Sequence, residues 1–384
     1  MVEEIARRAR ETGRVAIDTE FMSERRYQAM LCLVQVAVPD GDGARTEVLD
    51  PLDSDGAPDP APLAETLADP SVEVIVHAGR QDVAILRRTW RTEVTNLFDT
   101  QVAAGFVGFG TQESYKTLVR RVLDVQLPAG EAFTNWDRRP LTPQQLEYAA
   151  ADAAHLLTLG ERLESRLLDA GRLEWAREES GALEASSDER NLDEVYARLP
   201  KVDRLRSQAR AVARELVEWR DATAREADRS VPSILADHVL VELARRRPAS
   251  RSELGDIRGL PEATLHRRHR ELLAAIARGA ERDAPAAANG APPPDPLGAP
   301  AVALASALVR HRSQETGVAV ALIATQPELT RLVDDVRRGR EPRARVLEGW
   351  RRELVGGELL ELLAGRVTLA VAEGGGLAVG RETS

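Results

Sequence analysis

Five residues have the types and spacing for metal-assisted hydrolysis, and they fall in three places. In VAIDTEF, Asp18 and Glu20 stand two apart, which sends both side chains from the same face of a strand. Two acids in an otherwise apolar strand are costly unless something positive sits between them, although a strand end with solvated acids would read the same. Asp82 lies in VEVIVHAGRQDVAILRR, where a buried strand ends in His-Ala-Gly and a helix begins. An acid there is a candidate ligand, and the helix dipole would also stabilise it without any metal. Tyr148 and Asp152, in LEYAAADAAHLL, are four apart and share a helical face. The three alanines between them let another body approach closely, with plain small-residue packing as the alternative. His155, three residues further on, is expected to pack or to face solvent.

The elements around these residues follow from periodicity. VAIDTEF, LCLVQVAV, TEVLD and VEVIVHA read as strands, and APLAETLAD and QDVAILRRTW as helices. Three strands in a row, followed by strand–helix alternation, predict a mixed sheet with helices on its faces. One long helix is predicted from Leu141-Thr142-Pro143 through EYAAADAAHLLTLGERLESRLL. Thr142 is its N-cap, Pro143 its first residue and Gln145 its third. Small and acidic residues interrupt the pattern over 179–203, and RDAPAAANGAPPPDPLGAP, residues 282–300, has little to bury. These breaks predict three units, 1–180, 204–280 and 301–375, of which the second and third look purely helical.

The order strand D-x-E, strand-to-helix D, helix Y-x-x-x-D is far more specific than its pieces. Together with DTEF (18–21), RRY…LCLVQV (25–36), VHAGRQD (76–82), FDTQ (98–101) and RRPLTPQQLEYAAADAAHLL (138–157), it resembles the DEDD superfamily of exonucleases and, within it, the ribonuclease D family. The match is to the tyrosine branch, since the histidine branch would place a His where Glu147 stands. The resemblance implies a ribonuclease-H-like α/β fold. It also implies two divalent ions, Mg²⁺ or Mn²⁺, held by Asp18, Glu20, Asp82 and Asp152, with Tyr148 beside the attacking water. Four converging carboxylates without cations would repel one another, and hard oxygen ligands favour these ions over zinc. Two ions about 4 Å apart can activate water on one side and stabilise a leaving 3′ oxygen on the other. A tyrosine with an ordinary pKa of about 10 is a poor base at neutral pH, so its implied role is to orient the water. The implied products are nucleoside 5′-monophosphates. One departure stands out: where a Lys-Ser pair is expected ahead of Asp-Trp, this chain has QLPAGEAFTNWDRRPL, with Pro128-Ala129 and Asn135-Trp136. That loop, residues 126–137, is expected near the substrate.

Residues 204–280 resemble the helicase-and-RNase-D C-terminal (HRDC) domain through LVEWRDATAREADRSVPSILADHVLVELARRRPASRSELGDIRGL. Here Arg245, Arg246 and Arg247 close a helix, where Arg suits the dipole with or without a ligand. With Arg251 and Arg258 they form a candidate face for phosphates, without base reading. Residues 301–375 resemble the last, HRDC-like domain of some ribonuclease D proteins.

The formal charge of −10 is unexpected for a protein that binds polyanions. It is unevenly spread: residues 1–180 carry 20 Lys and Arg against 31 Asp and Glu, a net of −11, while residues 204–280 carry 16 against 11, a net of +5. Local fields steer ligands, so a negative total does not exclude a phosphate partner. The single cysteine, Cys32, lies in an apolar run, which excludes an intrachain disulfide and a thiolate zinc cluster and suggests an inert core thiol. No apolar run reaches the roughly 18 residues that span a bilayer, and the charged N-terminus is unlike a secretory leader, so a cytoplasmic protein is expected. No P-loop occurs, and EGGGLAVG lacks the following helix of a dinucleotide loop. The expected function is a 3′→5′ exoribonuclease acting on the single-stranded 3′ end of RNA, with tRNA precursors the substrate class the family suggests. The alternatives are a DNA exonuclease of repair type and an inactive nucleic-acid-binding module. No membrane or protein partner is implied.

Overall fold

Alternation along the strands decides how the sheet is covered. In the computed structural model, which describes residues 1–381 except 42, 55, 128–134, 284 and 286–297, the strands are β1 (Arg14–Met22), β2 (Met30–Asp40), β3 (Gly43–Leu49), β4 (Glu73–Val76) and β5 (Leu97–Asp99). Their order is β3-β2-β1-β4-β5, with β1–β2 and β2–β3 antiparallel and β1–β4 and β4–β5 parallel. This is the mixed sheet expected from the order of elements.

Odd and even positions of each strand face opposite sides. Val15, Ile17, Val34, Val36 and Val74 pack with Ile5 of α1 (Val2–Thr12), Leu63 of α2 (Ala61–Leu67) and Ile85 of α3 (Arg80–Trp90). On the other side Ala16, Ala37, Ile75 and Phe98 pack against α4 (Thr100–Ala104), α5 (Tyr115–Leu118) and, beyond α6 (Pro143–Ala154), α7 (Leu156–Asp169) and α8 (Leu173–Gly181). Small residues at the contact let the helices on this face sit close. Gly160 of α7, for instance, would bring an added Cβ within 3.2 Å of Ile75.

The helix expected as one continuous rod from 141 is two. Thr142 caps α6 in a full capping box with Gln145, as its sequence indicates. The rod breaks at His155, where φ is −109° and ψ 0°. The His155 backbone N–H donates to the hydroxyl of Tyr115 at 3.2 Å instead of continuing the helical ladder.

The second unit comprises α9 (Leu192–Ala197), α10 (Ser207–Glu226), α11 (Val231–Ile234), α12 (Asp237–Arg246), α13 (Arg251–Gly255) and α14 (Glu262–Glu281). Val212, Leu216, Leu240, Leu243 and Leu272 form a core of its own. This bundle meets the sheet domain at the β1–β2 connection. There Tyr27 packs against the bundle's core and donates its hydroxyl to Asp221 at 2.7 Å, while Arg26 pairs with Asp228 at 2.6 Å.

The last unit, α15 (Ala299–Thr316), α16 (Val320–Ile323), α17 (Gln326–Arg337), α18 (Gly349–Arg351) and α19 (Gly357–Leu363), ends differently from expectation. A hairpin, β6 (Val367–Val371) and β7 (Leu377–Arg381), follows the helices, and the Gly-rich run is its turn, with φ of 101° at Gly374 and 86° at Gly375. Glycine supplies such positive φ without strain. Nor does this unit have a separate core: Leu308, Leu332 and Trp350 belong to one apolar cluster with Phe106 and Leu163. Trp350 stacks on Trp175 at 5.2 Å between centroids and meets Phe106 edge-on at 5.0 Å. Arg351, nearly fully buried, takes both carboxylate oxygens of Glu179 and donates to the Leu322 carbonyl.

Candidate active site

Asp18 and Glu20 leave β1 on the same face, and a register shift follows Glu20 in its pairing with β2. A bulge at such a point re-aims a side chain at the edge of the ladder. Asp152 arrives on α6, which crosses β1, β2 and β3 on that face with Ala149 and Ala153 fully buried beneath it. The alanines are therefore a packing surface, and that packing carries Asp152 to the strand. One oxygen from each of Asp18, Glu20 and Asp152 lies within 4.8 Å of the others.

Asp82 is not one of this three-oxygen group. Its position is set by the turn before α3. Asp99, buried at the start of α4, accepts from the backbone N–H of Ala78 at 3.1 Å and Gly79 at 2.9 Å as well as from its own helix. Ala78 sits at φ 55°, and a Cβ on Gly79 would come within 2.5 Å of Val76, so only glycine fits there. The carboxylate of Asp82 accepts from the hydroxyl of Thr19 and lies outside the three-oxygen group, yet its charge raises the affinity of Asp18 and Glu20 for protons.

The electrostatics have one cause above all, burial. Burial, then the charges of Asp82, Asp152 and Glu20, holds the Asp18 carboxyl well above the usual carboxylate range. Glu20 is pushed up to about 8 by burial and then by Asp152 and Asp82. Asp152 is pushed up to about 6 by burial, against a hydrogen bond from Tyr148, and Asp82 to about 6 by burial, against the Thr19 hydroxyl. None of the four has an Arg or Lys ion pair among the described residues. An all-oxygen, partly buried cluster with no cationic side chain to offset it suits a hard divalent ion.

Tyr148 sits one helical turn before Asp152, and its phenol favours the ionised form of that acid. Burial, followed by Asp152 and Glu20, raises the phenol above its ordinary value, so it stays protonated. Its ring stacks on Trp136 at 6.2 Å. Trp136 in turn is held by Arg139, which donates to the Trp136 carbonyl at 2.7 Å and the Cys32 carbonyl at 2.9 Å and pairs with Asp50. The variant loop thus supplies an aromatic support for Tyr148 through Trp136, while residues 128–134 of that loop lie outside the described residues.

Thr19 and Trp136 were not foreseen as partners of site residues. Thr19 lies inside the DTEF motif, which is the signal that could have marked it, and nothing local links Trp136 to Tyr148. His155 is not part of the carboxylate group and lines a surface cleft with Thr158, Arg162 and Arg166. Cys32 is buried with its thiol pushed up to about 11 by desolvation, in keeping with an inert core residue.

The arginine face is divided. Arg245 and Arg246 both pair with Glu242, and Arg247 ends α12 in the left-handed conformation with its guanidinium on Gln208. Arg251 and Arg258 are exposed, and neither has an acidic partner among the described residues.

Comparison with known proteins gives this geometry a family. A 3′-5′ exonuclease profile matches residues 1–168 and an HRDC domain profile residues 209–276. Ribonuclease D of Granulibacter bethesdensis is 36% identical over 370 residues, covering 93% of this chain and 89% of its own. Ribonuclease D of Jannaschia sp. is 36% identical over 369 residues, covering 93% and 91%. The crystal structure of Escherichia coli RNase D, described as an exoribonuclease involved in structured RNA processing, superposes with a TM-score of 0.80 at 27% identity over 95% of this chain and 96% of that one. The chain belongs to the ribonuclease D family of 3′→5′ exoribonucleases.

Proposed function

We propose that the chain trims the 3′ ends of RNA, tRNA precursors being the substrate class, one nucleoside 5′-monophosphate at a time, in the cytoplasm. The observation that carries this reading is the convergence of Asp18, Glu20 and Asp152 within 4.8 Å, with the charge of Asp82 acting on Asp18 and Glu20. These four would hold two divalent cations, Mg²⁺ or Mn²⁺, and Asp82 would exchange its bond from Thr19 for that role. When bound, the cations supply an activated water and offset charge on the departing 3′ oxygen. In the reaction the water oxygen bonds to phosphorus, and the bond from phosphorus to the 3′ oxygen of the preceding nucleotide breaks.

Tyr148 keeps its proton, so it orients the attacking water by hydrogen bonding and does not act as a base. Trp136 limits the phenol's freedom by covering one face of its ring. Away from the chemistry, units 1–180, 204–280 and 301–375 divide the work. The first cuts and the second binds phosphates, while the third braces the first through Trp350 and Arg351. Within the second unit Arg251 and Arg258 are the strongest candidates for phosphate contact. Arg245, Arg246 and Arg247 contribute less, because Glu242 and Gln208 already engage them.

The test is a 5′-labelled single-stranded RNA and its DNA twin, each incubated with Mg²⁺ or Mn²⁺. A descending ladder from the RNA that EDTA abolishes is the expected result. Equal shortening of the DNA would favour the repair-type alternative, and no shortening of either would favour an inactive binding module.

A further inference from the structure

Gln35 is a buried polar side chain that none of the roles above employs. It lies midway along β2, is fully buried, and neither Oε1 nor Nε2 has a hydrogen-bond partner among the described residues. Its register partner on β1 is Asp18, and on β3 it is Val48. Residues directly opposite in an antiparallel pair project from the same face with their Cβ atoms about 4.5–5.5 Å apart. Gln35 therefore shares the face of the carboxylate cluster. Leu33 and Ala37 flank it on β2, and Leu33 belongs to one small cluster with Ala149 of α6, Val48 and Tyr148. Apart from the tyrosine at its edge, this surround is apolar, and the polar side chain directly opposite Gln35 is a carboxylate.

A buried amide with both ends unpaired is costly, and an apolar residue of the same shape would avoid that cost. Carboxylates that ligate a metal are themselves held by hydrogen bonds from outside the coordination shell, and those donors set metal affinity. We infer that Gln35 is a positioning residue for Asp18: when cations are bound, its Nε2–H turns to donate to the Asp18 carboxylate oxygen not committed to a cation, holding that carboxylate in its binding orientation. Gln35 touches neither substrate nor metal and acts only through Asp18. The inference rests on the metal-holding role proposed for Asp18.

The experiment is Mn²⁺ titration by calorimetry of the full chain and of Gln35→Leu and Gln35→Met, with thermal midpoints measured in EDTA. Both variants are expected to bind Mn²⁺ about tenfold more weakly, in the range typical of lost outer-shell donors. Their midpoints in EDTA are expected to stay level or rise, since an unpaired amide has been replaced by an apolar group of similar size. Unchanged Mn²⁺ affinity in a folded variant would overturn the inference and leave the carboxylate site standing. A midpoint that falls in step with affinity in both variants would also overturn it, because that is the signature of a packing role. Absence of Mn²⁺ binding by the unaltered chain would remove the metal-holding role of Asp18 itself, and this inference with it.

Discussion

At the scale of single residues, the site is a set of acids whose protonation is governed by burial. Tyr148→Phe removes the hydroxyl but keeps the ring on Trp136. It is expected to lower kcat roughly ten- to a hundredfold, less than the ~10²–10⁴ of a true general base, with Mn²⁺ affinity nearly unchanged. Equal loss of metal binding would contradict the water-orienting role. The raised carboxyls also set a pH dependence. Asp82 and Asp152 near 6 and Glu20 near 8 bind protons in the folded chain that the unfolded chain releases. The stability these carboxyls contribute in EDTA is fully present below about pH 4 and is lost as pH rises through about 8. Thermal melts across that window should show a shallower fall in Asp18→Asn, and saturating Mg²⁺ should flatten it in the unaltered chain. An identical slope in the variant would count against an electrostatically strained cluster. The shared faces of Asp18 with Glu20 and of Tyr148 with Asp152 are legible in the sequence, because spacing of two on a strand and four on a helix dictates them, whereas no such spacing marks Asp82. Thr19 and Trp136 are not legible, because their partners lie on separate elements, α3 and α6, and only the packed structure joins them.

At the scale of elements, each site residue depends on how its strand or helix is ended. The turn before α3 is fixed by Asp99 and by the one residue that fits at 79. Asp99→Asn keeps the shape but weakens a buried, four-fold acceptor, and a cost of about 1–2 kcal/mol is expected. Activity should drop as well, since Asp82 is carried by that turn; a stable variant with full activity would show that the clamp is unnecessary. Strands β1 to β4 and the helices on either side of β4 were readable from period-2 and period-3.6 patterns, the three-residue β5 was too short to show one, and Thr142-Pro143-Gln145 marked the start of α6 correctly. The break at His155 was hidden because the competing acceptor, the Tyr115 hydroxyl, lies 40 residues away. The terminal hairpin was hidden for a different reason: VTLAV and LAVGR are short, and a Gly-rich run between them reads equally well as a loop.

At the scale of the whole molecule, the sheet domain and the last unit form one packed body, with the HRDC bundle attached at the β1–β2 connection. The core shared by the nuclease domain and the last unit was not readable in the sequence, since Trp175 and Trp350 meet only in the fold. Trp350→Ala is expected to cost about 3–5 kcal/mol and to lower the stability of the nuclease domain together with the last unit. Two separate melting transitions, with the nuclease transition unmoved, would contradict a common core. For the bundle, Arg251→Ala with Arg258→Ala should reduce the salt slope of single-stranded RNA binding by about 1.4, at roughly 0.7 per phosphate contact. An unchanged slope would place the phosphate grip elsewhere. The claim beneath all of these is that the acids from β1, α3 and α6 meet around divalent cations. The most direct measurement is the anomalous scattering of a crystal of the full chain soaked in Mn²⁺. Two peaks are expected among Asp18, Glu20, Asp82 and Asp152, with carboxylate oxygens at about 2.1 Å as for other hard octahedral ions. A well-ordered crystal with no peak there, or with the ions bound only elsewhere, would contradict the account.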